Sequence, residues 1–195
     1  MIGVFAGSGL GNWPTYRRAA VQLVEELLRR DVGVVYGGAK IGLMGVVADT
    51  MMAGGGKVIG VIPERLVVGE VAHEGLSDLR IVGSMHERKA MIAEVAEGFV
   101  SLPGGLGTFE EALEMATWSQ LGIHSKPCGM LNVNGFFDPL LVQLDLAVQA
   151  GFMDAEHRGL LVSEHRPRQL LDRLEAWTAP TPKTYEGRES AALRR

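Results

Sequence analysis

The segment Leu102-Pro103-Gly104-Gly105-Leu106-Gly107-Thr108-Phe109-Glu110-Glu111 holds the densest chemistry in the chain. Its glycines permit unusual backbone angles and a close approach of the chain, which a phosphate cradle built from N–H groups requires. Thr108 adds a hydroxyl beside its own N–H. The same residues also suit a tight strand-to-helix turn, with Thr108 as N-cap and Glu111 as its capping-box partner. The local pattern leaves both readings open. No Gly-Lys-Ser/Thr follows, so this is not a Walker loop. A full dinucleotide fingerprint is missing as well: the first glycine turn has the wrong spacing, and no acidic residue follows Val32–Tyr36.

A second constellation is Ser84-Met85-His86-Glu87-Arg88-Lys89. Ser84 and Glu87 fit a capping box, which starts a helix and puts Arg88 and Lys89 in its first turns. Cations there oppose the helix dipole. Their presence in a chain with five lysines suits a nearby anion, while the ordinary alternative, a solvated surface pair, stays open on this segment alone. His86 reads as a capping or packing residue. Glu70 and Glu74 lie in an irregular stretch and are solvated unless that stretch folds over the site. Trp118, near the end of a helix, reads as core or interface.

Positioning these groups falls to a regular alternation of short apolar runs and helical patterns. Strands are expected at Ile2–Ala6, Val32–Tyr36, Lys57–Ile62, Leu79–Val82, Phe99–Leu102 and Pro127–Val133. Helices are expected at Pro14–Arg30, Gly42–Ala53, Ser84–Ala96, Thr108–Gln120, Pro139–Ala150 and Pro167–Trp177, with Pro63–Leu79 a loop of some helical character. In the first helix Ala20, Val24, Leu27 and Leu28 share one face. The alternation implies an α/β fold: a Rossmann-like, doubly wound parallel sheet with helices on both faces. Ligands of such sheets bind beyond the carboxyl ends of the strands, where the turns Gly7–Gly11, Gly37-Gly38 and Gly104–Gly107 fall. Residues 1–177 are expected to form a single nucleotide-binding catalytic domain, and residues 178–195 a flexible tail.

Composition narrows the function. The 195 residues, 47% of them hydrophobic, suffice to bury a core. A net charge of -4 argues against a general nucleic-acid binder but leaves room for a small anion held by a few local cations. A single cysteine, Cys128, excludes an internal disulfide, and no Cys/His cluster suggests a metal. With no basic leader and no apolar run long enough to span a bilayer, the expected setting is cytoplasmic, away from membranes.

Taken together, these segments resemble the Lonely Guy family, phosphoribohydrolases that release free cytokinin from its riboside 5′-monophosphate and were long misnamed lysine decarboxylases. The likeness covers about residues 1–153. It runs through Val4-Phe5 with Gly7-Ser8, Tyr36-Gly37-Gly38, Gly42-Leu43-Met44-Gly45 and Gly60-Val61-Ile62-Pro63. It continues through Met85–Lys89, Pro103–Glu111, Thr117-Trp118, Leu121-Gly122 and Leu131-Asn132-Val133. Ala6 stands where many members have cysteine, and Glu97 where aspartate is common. The resemblance implies that Arg88 and Glu111 are the catalytic pair. It implies a substrate-binding set of Glu70, Lys89, Gly104, Gly105, Leu106, Gly107, Thr108, Phe109 and Glu110, with no metal and no cofactor. It further implies a homodimer whose active sites draw on both subunits.

The implied reaction is hydrolysis of an N-glycosidic bond, which builds positive charge on the ribose. Glu111 would stabilise that charge or activate water, kept ionised by a nearby helix N-terminus. Arg88 would hold the substrate, and the Gly104–Thr108 turn would grip the 5′-phosphate. If Glu111 also closed a capping box, its replacement would cost stability. Two other readings share these residues: a broader AMP nucleosidase and a non-catalytic nucleotide carrier. A pyridoxal-phosphate lysine decarboxylase fits poorly, because none of the lysines lies in a Ser-x-His-Lys setting.

Overall fold

Buried on both faces, the strands of a parallel sheet read as nearly continuous apolar runs, and those runs dictate the architecture seen in the computed structural model. Residues 1–67 and 72–182 are described. The elements follow one another as β1 (Ile2–Phe5), α1 (Pro14–Arg29), β2 (Val34–Tyr36), α2 (Gly42–Ala53), β3 (Val58–Pro63) and the single turn α3 (Glu64–Val67). Then come β4 (Leu79–Val82), α4 (Met85–Val95), β5 (Gly98–Ser101), α5 (Leu106–Gln120), β6 (Cys128–Leu131) and a 3-10 turn at Val133–Gly135. The chain continues with α6 (Asp138–Gln149), α7 (Ala155–Arg158), β7 (Leu161–Glu164) and α8 (Pro167–Glu175).

Seven strands pair in the order β4-β3-β2-β1-β5-β6-β7, every pair parallel. From β1 the chain steps outward to β4, then returns to β5 on the other side of β1. The direction of winding reverses there, so the loops after β1 and β5 diverge and leave a crevice.

Alternate residues of each strand serve opposite layers. Val4, Val34, Tyr36, Val58, Val100, Leu131 and Val162 pack with α1, α2 and α8. Phe5, Val35, Ile59, Phe99, Met130 and Leu161 pack with α4 and α5, where Ile92, Ala112 and Met115 are buried. The doubly wound α/β expectation is met.

Two local expectations need correction, while the helical character expected within Pro63–Leu79 is present. The sequence reading ended the strands at Pro127–Val133, but β7 adds a seventh. Its four residues are half polar, and only Leu161 and Val162 are buried. The helix expected from Thr108 begins two residues earlier, at Leu106, because Gly105 supplies an extended N-cap without any side-chain bond. Within Pro63–Leu79 the chain makes α3 and a bridge between Ala39 and Ala72. Glu70 lies outside the described residues. Of the expected tail, the Thr181 N–H donates to Glu156 at 3.0 Å, and the Thr181 carbonyl lies 3.2 Å from His157 Nε2. Residues 183–195 of that tail lie outside the described residues.

Candidate active site

Main-chain hydrogen bonds tie three glycine turns together at the carboxyl ends of β1, β2 and β5. The Gly7 N–H donates to Pro103 O at 3.1 Å, and the Leu43 N–H donates to Gly7 O at 2.9 Å. Side chains are excluded where the turns touch. A Cβ on Gly104 would lie 2.1 Å from Thr108 Oγ1 and 2.8 Å from Gly7 N. Gly42 has φ +59, and a Cβ there would meet Ser8 C at 2.2 Å. A cavity of about 320 Å³ opens between these turns, floored by Gly7, Ser8 and Gly104 and walled by Tyr16, Leu43 and Phe136.

The first turn of α5 borders this crevice without a side-chain cap and without an acidic residue. The N–H groups that open a helix lack partners within it, and together with the dipole they favour an anion. Thr108 belongs to this turn and is buried. The capping-box alternative for Thr108 and Glu111 is therefore overturned: with the cap at Gly105, Glu111 is the sixth helical residue and no longer faces the helix end. The box expected at Ser84 does form in slightly altered geometry. The Glu87 N–H donates to Ser84 Oγ at 3.1 Å, and Glu87 Oε2 accepts from the Gly83 N–H at 2.9 Å.

That box launches α4 and directs Arg88 inward. The Arg88 side chain lies over Gly37 at the end of β2, where a Cβ would stand 1.7 Å from Nη2. Only 9% of Arg88 is exposed. Its Nε has no hydrogen-bond partner among the described residues, and Nη1 reaches only Met85 Sδ, at 3.7 Å. Nη2 stands 3.7 Å from Glu111 Oε1, an ion pair rather than a hydrogen bond. Among the described residues, most of this guanidinium's donor capacity is thus unspent. A buried charge kept that way costs folding energy and marks a ligand site.

Glu111, 8% exposed, faces it from α5. Burial pushes its carboxyl up to about 7, against the pull of Arg88 and with a smaller push from Glu110. The expectation that a helix N-terminus keeps Glu111 ionised is corrected here, because dipole effects fade beyond the first turn while desolvation does not.

The structure brings Arg88, Lys89, Glu110 and Glu111 into one cluster beside the Gly104–Thr108 turn. Lys89 Nζ donates to Glu110 Oε1 at 2.5 Å and to Glu114 Oε1 at 2.9 Å. Burial pulls its pKa down, but the two carboxylates together outweigh that and hold it above the ordinary lysine value. Leu106 projects outward, 87% exposed. Phe109 turns to an aromatic group instead, stacked on Phe136 at 6.0 Å. Gly37 escaped the sequence reading as a site residue. Its signal was the glycine pair ending a strand, but what lies over it is set by a helix 50 residues on. Neither Arg88 nor Glu111 lines the 320 Å³ cavity or a larger, open depression of about 630 Å³ near Thr15, Arg18 and His165; what ties the cavity to the pair is the Gly104-Gly105 turn that opens α5.

The family described as "Possible lysine decarboxylase" matches residues 44–174. The chain is 48% identical over 177 residues to a probable cytokinin riboside 5′-monophosphate phosphoribohydrolase of Oryza sativa subsp. japonica, covering 91% of this chain and 79% of that protein. It is 47% identical to a cytokinin riboside 5′-monophosphate phosphoribohydrolase of Arabidopsis thaliana, covering 90% and 83%. Among solved structures it is similar to a molybdenum cofactor binding protein of Rippkaea orientalis, with a TM-score of 0.66 at 19% identity, covering 90% and 94%. At that identity the likeness speaks for the fold alone.

Proposed function

The chain belongs to the Lonely Guy family of cytokinin riboside 5′-monophosphate phosphoribohydrolases, and from that premise we propose that it hydrolyses the base–ribose bond of these nucleotides. The products are the free cytokinin base and ribose 5-phosphate. The observation that carries this reading is the buried Arg88–Glu111 pair, 3.7 Å apart beside an uncapped helix N-terminus.

The 5′-phosphate sits on the Gly104–Thr108 turn, its charge met by free N–H groups and the Thr108 hydroxyl. Anchoring there lets remote binding energy orient C1′. As the C1′–N bond breaks, positive charge grows on the ribose and negative charge on the departing base. The ionised Glu111 carboxylate stabilises the first and takes a proton from the attacking water. Arg88, with unspent donors, orients the nucleotide and stabilises the negative charge. Relatives named phosphoribohydrolases outweigh the family's decarboxylase description. A Schiff-base lysine must lose its proton, and the lysine nearest the pair, Lys89, is held protonated by two carboxylates.

We also assign a homodimer and a cytoplasmic setting. Helix α6 buries none of its residues, Val142 and Leu146 stand exposed, and Phe152 beyond it is 85% exposed. Such a surface suits a partner copy. The lone buried thiol of Cys128 suits a reducing compartment. Replacing both Val142 and Leu146 with aspartate should halve the mass in sedimentation; an unchanged mass would rule this face out.

Purified protein given isopentenyladenosine 5′-monophosphate should release base and ribose 5-phosphate in equal amounts. Turnover of AMP alone would make it a broader nucleosidase. Turnover of neither, with binding retained, would leave a nucleotide carrier.

A further inference from the structure

The resemblance assigns Lys89 to the substrate, yet its ammonium is already committed inside the protein. Its side chain is about 10% exposed, and Nζ bridges Glu110 and Glu114 one helical turn apart on α5. Lys89 follows Arg88 directly on α4, and the two glutamates flank Glu111 on α5. The bridge is therefore built between the two helices that carry the catalytic pair, immediately beside that pair.

We propose that Lys89 is a positioning residue: its bridge to Glu110 and Glu114 pins α4 to α5, fixing the Arg88–Glu111 separation and the charge around the Glu111 carboxyl. This rests on the reading of Glu111 as the catalytic carboxylate. Among the described residues, the charged groups that face Glu111 are Arg88 and Lys89 from α4 and Glu110 and Glu114 from its own helix. With Glu111 protonated these four neighbours cancel. Without Lys89 they would carry a net negative charge, and Glu111 would hold its proton to higher pH. A phosphate-binding lysine would work otherwise: it would need a free ammonium, and its loss would weaken binding at every pH.

The test compares the pH dependence of kcat/KM for wild type, Lys89→Met and the triple variant Lys89→Met/Glu110→Gln/Glu114→Gln, using isopentenyladenosine 5′-monophosphate. Lys89→Met should move the acid limb up by about one pH unit with little change in KM, and the two added glutamines, which leave only Arg88 charged, should carry it back down past the wild-type position. A raised KM with an unmoved limb would overturn the proposal in favour of a phosphate contact. Glu114→Gln gives an opposite sign: one negative neighbour is lost, so its limb should move down, and this variant decides the matter if Lys89→Met fails to fold. A limb unmoved in Glu114→Gln also overturns the proposal. Titration of the Glu111 carboxyl carbon by ¹³C NMR reads the same shifts without catalysis. A wild type that turns nothing over would thus defeat the proposed function while leaving the bridge testable.

Discussion

Replacing Glu111 with glutamine should lower kcat/KM by about 10³-fold and at the same time stabilise the fold above pH 7. The first effect follows from the proposed mechanism, in which this group receives the water proton and faces the ribose charge. The second follows from burial. The carboxyl has an ordinary value of 4.5 and is pushed up to about 7 in the fold. Between those values the native state holds a proton that the unfolded chain has lost, so stability falls as pH rises through the window. Below about pH 4.5 both states are protonated and nothing is lost; above about 7 the full cost is present. Glutamine resembles the protonated form and escapes the cost, a gain on the order of 3 kcal/mol at pH 8–9. Denaturant titrations at pH 4.5 and 8.5 check this, with the difference between variant and wild type growing at the higher pH. A variant destabilised equally at both would mean that the carboxylate serves the fold. In wild type, kcat/KM should climb through about pH 7 and then level off, since the ionised form does the work.

Gly37→Ala should be the most damaging substitution at a residue that carries no functional group. The added methyl would stand 1.7 Å from Arg88 Nη2 and 2.8 Å from Cζ, so one of the two must leave. Main chain cannot shift easily inside a parallel sheet, but the end of a long side chain can. The guanidinium is therefore displaced while the fold survives. An ångström of misplacement in a catalytic group costs about 10²-fold, and that is the expected loss in kcat/KM. Unfolding free energy should change by no more than about 1 kcal/mol, because Gly37, unlike Gly38 with φ +74, holds a backbone conformation open to alanine. Activity within threefold of wild type would show that Arg88 need not lie over β2.

The sequence made the sheet and its glycine turns legible because both are local. Apolar runs such as Lys57–Ile62 and breaks such as Gly37-Gly38 are short-range signals, and alternation with helices fixes a parallel topology. The end of the chain was harder to read. In β7 only two buried residues mark the strand, and its partner β6 lies 30 residues earlier, so pairing rather than pattern makes it a strand. Capping went astray at Thr108 for a related reason. A glycine in extended conformation can start a helix as well as a hydroxyl can, and nothing in the string Gly105-Leu106-Gly107-Thr108 says which will. Spacing alone made Arg88 a helix-start cation and Glu111 a capping partner; the family resemblance paired them, and the structure adds that they face each other. The state of Glu111 and the partners of Lys89 depend on burial and on contacts between α4 and α5, which one-dimensional spacing does not carry.

The seams joining the three glycine turns are bonds between main-chain atoms, from Gly7 to Pro103 and from Leu43 to Gly7. Each bond brings two main chains so close that Gly42 and Gly104 have no room for a Cβ, so the seam itself tolerates little substitution. None of these bonds runs through a side chain of the cavity wall, Tyr16 and Phe136 included. A change in the wall therefore leaves these bonds standing, whereas a side chain added at Gly42 or Gly104 would part them.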